Sequence, residues 1–135
     1  MMKRIIGIIF TVLGLLIALG PQLLFKVCPV MDDMFMKCHW TARAEIGVGA
    51  FIAILGIALI LFIASKIRLA LAIGILLSGI HAVLIPHVLI GGCPMPSMPC
   101  RKIAIPAITV ISILLIIGGA LYTFYLARKT RGHDQ

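Results

Sequence analysis

The sequence predicts an all-α integral membrane four-helix bundle, made of two tandem helix–loop–helix hairpins with both termini cytoplasmic. Three observations carry that reading. Apolar residues make up 62% of the 135 residues and charged residues 12%, whereas a soluble domain runs at about 45–50% and about 25%. Four long stretches contain no Asp, Glu, Lys or Arg: 5–25, 46–65, 69–100 and 103–127. The twelve basic residues stand in ones, twos and threes between those stretches, as membrane-edge anchors do. A globule of this size could not hide so much apolar surface from water. The composition therefore excludes a cytosolic enzyme, a disordered tail and a nucleic-acid-binding domain, despite a net charge of +8. The partner it implies is the lipid bilayer.

The first span runs over about 5–25, behind Lys3 and Arg4. It is longer than the apolar core of a secretory signal, so it reads as a permanent helix. Neither end shows a lipidation motif. The second span covers about 46–65 and the fourth about 103–127, each close to the ~20 residues needed to cross a ~30 Å hydrocarbon core. The third stretch is too long for one crossing. Gly91 and Gly92, with Pro94, Pro96 and Pro99 beyond them, end its helix near Ile90, giving a span of about 69–90. One transmembrane domain thus covers 1–135, with external loops at about 26–45 and 91–102. Helices are required because lipid offers no partner for an unpaired backbone group.

Basic residues set the orientation. Lys3, Arg4, Lys66, Arg68, Arg128, Lys129 and Arg131 fall on one side, seven against five (Lys26, Lys37, Arg43, Arg101 and Lys102) on the other. The positive-inside rule places the first group and both termini in the cytoplasm. A minimal connection at Ser65–Arg68 lies on that side. The two longer loops are then extracellular or periplasmic, and they hold all four cysteines, as an oxidising exterior favours.

The loops resemble each other. The first reads Cys28-Pro29-Val30-Met31, then Met34, Met36 and Cys38-His39; the second reads Cys93-Pro94-Met95, then Met98 and Cys100-Arg101. Two such hairpins are related as in parallel-repeat membrane proteins. Packing signals lie inside the spans. Ala70, Gly74, Ser78 and Ala82 recur every fourth residue in the third, and Gly49 and Ala53 stand in the second, spacings that let helices approach closely in lipid. Pro86 should kink the third helix.

Cys28, Cys38, Cys93 and Cys100 admit three pairings. Loop-local bridges would pin each hairpin tip, and crossed bridges would staple the hairpins together. A redox reading is open, because four spans with a cysteine pair in each of two external loops resemble the plan of the quinone-linked disulfide oxidases. The close Cys-x-x-Cys of such enzymes is missing, with nine and six residues between the pairs. A copper reading is also open: Met34, Met36, Met95 and Met98 lie among Cys38, Cys93 and Cys100, with His39 adjacent, and soft sulfur ligands favour copper(I). Outside those two readings, with quinone or copper respectively, no cofactor is expected.

His81 and His87 are the ionisable groups expected within the spans, hence intramembrane candidates. Six residues apart, they point about 120° away from each other on an ideal helix, so a shared site is not expected. Each reads as a neutral imidazole bonded to a neighbouring helix or to the carbonyl that Pro86 frees. Asp32 and Asp33 read as a solvated loop tip, Glu45 beside Arg43 as the start of the second helix, and Trp40 as an interface anchor. No hydrolase triad, phosphate-binding loop or catalytic carboxylate pair is present.

At Met36-Lys37-Cys38-His39-Trp40-Thr41-Ala42-Arg43-Ala44-Glu45-Ile46-Gly47, with Pro86, Leu89-Ile90-Gly91-Gly92-Cys93 and Met98-Pro99-Cys100-Arg101, the chain resembles an uncharacterised prokaryotic family, domain of unknown function 4418. The resemblance implies a four-pass membrane protein, often encoded beside ATP-driven permeases, and transfers no catalytic residue. The expected function is that of a non-catalytic accessory or interaction subunit of a membrane complex. It would act with a membrane-protein partner or as a homo-oligomer.

Overall fold

Four helices account for nearly all of the computed structural model, which describes residues 1–20, 37–89 and 105–133. They are α1 (Met2–Leu19), α2 (Lys37–Leu61), α3 (Ser65–Leu84) and α4 (Ile105–His133), with a five-residue π-helical segment, Ile85–Leu89, continuing α3. There is no strand among the described residues. At 1.5 Å per residue the shortest helix is about 27 Å long and the longest about 43 Å. All four are long and apolar enough to cross a membrane.

The boundaries depart from the sequence expectation in ways that matter. α2 begins at Lys37, so the last nine residues of the expected first external loop are helical. The turn between α2 and α3 is Phe62–Ala64, not Ser65–Arg68, which forms the first turn of α3. Ala64 is extended, and its carbonyl accepts from the Arg68 N–H at 3.0 Å. α4 continues six residues past Ala127, because Arg128-Lys129-Thr130-Arg131 are compatible with helix in any solvent. It starts with Pro106 in its first turn, where the missing N–H is harmless. At Pro86 the backbone widens into the π-helical segment, which accommodates a residue unable to donate to the α-helical ladder.

Contacts run antiparallel throughout. Gly7 faces Gly56 and Ile60, and Gly14 faces Gly49 and Ala53. Leu55 of α2 meets Gly74 of α3, and Gly79 and Gly119 settle against Ile116 and Leu76 across the α3–α4 seam. Both termini therefore lie at one end, and residues 21–36 and 90–104 join the helices at the other. α1 packs mainly on α2 and α3 mainly on α4, while α1 and α4 barely touch.

The α1–α2 seam is the tightest. A Cβ on Gly14 would lie 2.7 Å from the Ala53 nitrogen, and one on Gly49 would lie 2.7 Å from the Gly14 carbonyl oxygen. Around Gly49 only backbone stands in the way, so nothing can rotate aside. The sequence signalled Gly49 and Ala53 but not their partner Gly14, nor the pair Gly7 and Gly56. In α3, Ser78 and Ala82 are buried, but Ala70 at the head of the same stripe is exposed.

The core between the seams consists of Ile17, Ile52, Ile75 and Leu115, none of them accessible, with Phe10, Leu59, Ala72, Tyr122 and Leu126. Outside it the surface is greasy: Ile5, Ile54, Ile113, Leu121 and Phe124 are all exposed. That distribution is stable only if lipid covers the outer faces. Several hydroxyls within the spans are served by their own helices. Thr11 donates to the Gly7 carbonyl at 2.8 Å, Ser78 to Gly74 at 2.8 Å and Thr109 to Ile105 at 2.7 Å.

The α1–α2 seam predicts a sharp contrast. Gly49→Ala should lose about 1–3 kcal/mol of stability through overpacking, whereas Gly47→Ala, whose added methyl meets nothing within 4 Å, should lose none. Thermal unfolding of the two variants in one detergent checks this.

Candidate functional site

The sulfur candidates divide by position. Cys28, Cys93, Cys100, Met34, Met36, Met95 and Met98 lie outside the described residues, as do Asp32 and Asp33. Cys38 and His39 sit in the first turn of α2, and their side chains lie outside the description. Among the described residues there is no group of three or more His, Cys, Asp or Glu that could hold a metal ion.

Both intramembrane histidines are described, and both are exposed. The Nδ1–H of His87 donates to the Val83 carbonyl at 3.1 Å, one turn back on its own chain. Among the described residues no bond from His87 to a neighbouring helix is seen. The π-helical turn explains the bond to Val83, because it leaves α3 carbonyls without their usual α-helical partners beside the imidazole. His81 instead lines a cavity of about 350 Å³ in the α2–α3 seam, with Gly47, Val48 and Phe51 from one helix and Leu77 and Ser78 from the other. The Ser78 hydroxyl already serves Gly74, so the imidazole is the polar handle there. His87 is not among the residues that line that cavity.

Three polar side chains that the sequence placed in solvent or overlooked are buried. Arg68, expected as a cytoplasmic edge charge, is 4% exposed. Its Nη2 donates to the Tyr122 hydroxyl at 2.5 Å and to the Lys3 carbonyl at 3.3 Å. The guanidinium carbon also stands 5.8 Å from the centre of the Tyr122 ring, and that ring packs on Phe10 with centroids 6.3 Å apart. One side chain thereby ties together α1, α3 and α4 at the end carrying both termini. A guanidinium is always charged, and no carboxylate answers it among the described residues. Oxygen dipoles stabilise it instead, at the depth where a long side chain can still reach the interface.

At the opposite end Glu45 is fully buried, not at a solvated helix start. Neither carboxylate oxygen has a hydrogen-bond partner among the described residues, and the same holds for the buried Ser112 hydroxyl. The helical period explains the placement of Glu45: it precedes Gly49, Ile52 and Gly56 on the face of α2 turned inward. Its i, i+4 relation to Gly49 was the signal available in the sequence. The antiparallel register sets Glu45 level with the far end of α1, about 22 Å along the axis from Lys3, so Glu45 and Arg68 cannot pair. Trp40 is exposed on the first turns of α2.

One family model matches the chain, that of a domain of unknown function (DUF4418), over residues 10–125. No curated protein and no solved structure matches it.

The Arg68 cluster makes a thermodynamic prediction. Tyr122→Phe leaves a buried cation short of an acceptor and should cost about 1–3 kcal/mol. Adding Arg68→Met should restore most of that loss, since removing a buried charge together with its partner is often neutral. Thermal unfolding of the two single variants and the double variant in detergent measures the coupling.

Proposed function

The chain belongs to the DUF4418 family, and from that premise we propose that it is a non-catalytic accessory subunit of a larger membrane assembly of the transporter type. One observation carries the reading: the plug of Ile17, Ile52, Ile75 and Leu115 fills the centre of the bundle between Glu45 at one end and Arg68 with Tyr122 at the other. Polar groups that mark an ion or substrate pathway need continuity across the membrane, and these are split into two islands. Such a bundle conducts nothing by itself and contributes shape and contacts to a partner.

The contacts belong to the end joined by residues 21–36 and 90–104. There a cap built from Cys28, Cys38, Cys93 and Cys100 faces the oxidising side and the termini face the cytoplasm, in line with the excess of basic residues at the terminal end. Cys38 stands in the first turn of α2, so a bridge from it would brace the cap against a helix. The carboxylate of Glu45, without a partner among the described residues, suits recognition of a polar or cationic group.

A second reading, a quinone-linked thiol–disulfide oxidoreductase, is favoured by the cavity of about 350 Å³ beside His81. It lies towards the cysteine end, and an imidazole in an apolar pocket is a fit donor for a quinone carbonyl. In that reading the cysteine loops would pass electrons to the quinone.

Thiol counting with and without reductant, followed by purification in mild detergent, separates the readings. The accessory subunit predicts two bridges inert to added quinone and a membrane protein that co-purifies in fixed ratio. Bridges that form from free thiols as quinone is reduced would overturn it in favour of the oxidoreductase. Four free thiols holding copper would overturn both.

A further inference from the structure

Between α1 and α4, the one neighbouring pair of helices that barely touch, runs an apolar groove of about 370 Å³. It extends from Met2 to Leu13 on α1 and from Leu114 to Tyr125 on α4. Eleven residue steps of each helix measure about 16 Å, close to half of a ~30 Å hydrocarbon core. The groove is thus one leaflet deep, on the side of both termini. Gly118 forms part of its floor, where the absent side chain leaves room in front of Phe10. A partner helix would need a seam running the full depth of the bilayer; this one is too short for it and matches a single acyl chain.

The mouth of the groove is cationic. The α4 stripe Leu114, Gly118, Leu121, Tyr125 continues at helical spacing to Arg128 and Lys129, both exposed. Lys3 and Arg4 follow Met2 on α1. The Arg128 guanidinium rests 4.6 Å above the Phe124 ring, which holds it near the apolar boundary. Among the described residues the sole acid is Glu45, at the other end of the bundle, and in sequence only Asp134 follows at this end. Basic side chains over an apolar slot between helices are the chemistry that retains an anionic lipid head group.

We infer that the α1–α4 groove is a binding site for one anionic phospholipid, its acyl chain lying against Gly118 and Leu121 and its phosphate held by Arg128 and Lys129. The lipid completes the seam that α1 and α4 leave open, and it comes from the leaflet on the side of the termini. The site is independent of the cysteine cap, so the accessory-subunit reading and this one stand or fall separately.

Native mass spectrometry of the protein in mild detergent with equimolar phosphatidylglycerol and phosphatidylcholine tests it. The wild-type chain should retain one phosphatidylglycerol in preference to phosphatidylcholine. The double variant R128Q/K129Q should lose that preference by roughly tenfold to thirtyfold. Gly118→Leu should lose both lipids, and its first added carbon meets only the Phe10 ring at 3.4 Å and 3.7 Å, an ordinary contact. Leu114→Phe, at the end of the groove away from the termini, gives a second groove-filling variant should the first not fold. Inorganic phosphate should leave the lipid bound. Equal retention of the two lipids by the wild type, unchanged retention in both groove-filling variants, displacement by inorganic phosphate, or a second protein chain seated on α1 and α4 would each overturn the assignment.

Discussion

Close backbone approach between α1 and α2 is the constraint on which the rest of this bundle depends. In lipid the hydrophobic effect no longer drives helices together, because acyl chains are as apolar as leucine side chains. Cohesion must come from atoms that touch. Gly14 and Gly49 let two backbones meet at a distance no side chain permits, so dispersion contacts accumulate along the whole seam. With α1 and α2 locked, α3 needs only the short Phe62–Ala64 turn to lie alongside α2, and α4 follows α3 through the looser seam at Gly79 and Gly119.

The polar groups follow the same logic. The hydroxyls of Thr11, Ser78, Thr109 and Thr130 fold back on their own helices, which costs no interhelical geometry. The groups that cannot be satisfied so cheaply stand near the two ends, within reach of interfacial water and head groups. Arg68 gathers three helices at the terminal end through two oxygens and an aromatic face. Glu45 sits under the opposite end without an acceptor or donor among the described residues, and a buried carboxylate of that kind is costly enough to demand a use. The apolar plug between them is what makes the two ends chemically separate.

Much of this was legible in the sequence because lipid solubility is a bulk property: long uncharged runs and punctuating glycine, proline and basic residues mark four helices without any tertiary information. What escaped depends on three-dimensional neighbours. Arg68 reads as an edge charge in one dimension, since nothing local distinguishes it from Lys66; only the arrival of Tyr122 and Lys3 buries it. Glu45 looks like a helix start when helix α2 is begun at Ile46, and becomes an interior residue once the helix is seen to begin at Lys37. The break that Pro86 makes in the helical ladder is legible in the sequence, but that the carbonyl meeting His87 is that of Val83 is not. On α1 the pairs Gly14–Ala18 and Gly7–Thr11 have the same four-residue spacing as Gly49–Ala53, but spacing alone does not say which small residues meet across a seam. The cysteine and methionine cluster, the richest feature of the sequence, falls mainly outside the described residues, so its chemistry stays with the proposal.

The central claim is that lipid bathes one set of apolar side chains while helix-to-helix contact shields another. Photolabelling of the bilayer-embedded protein with a membrane-partitioning carbene precursor, mapped by residue, measures that partition directly. The account predicts label on Ile54, Ile113, Leu121 and Phe124, and none on Ile17, Ile52, Ile75 or Leu115. Comparable labelling of both sets, or label concentrated on the second, would contradict it.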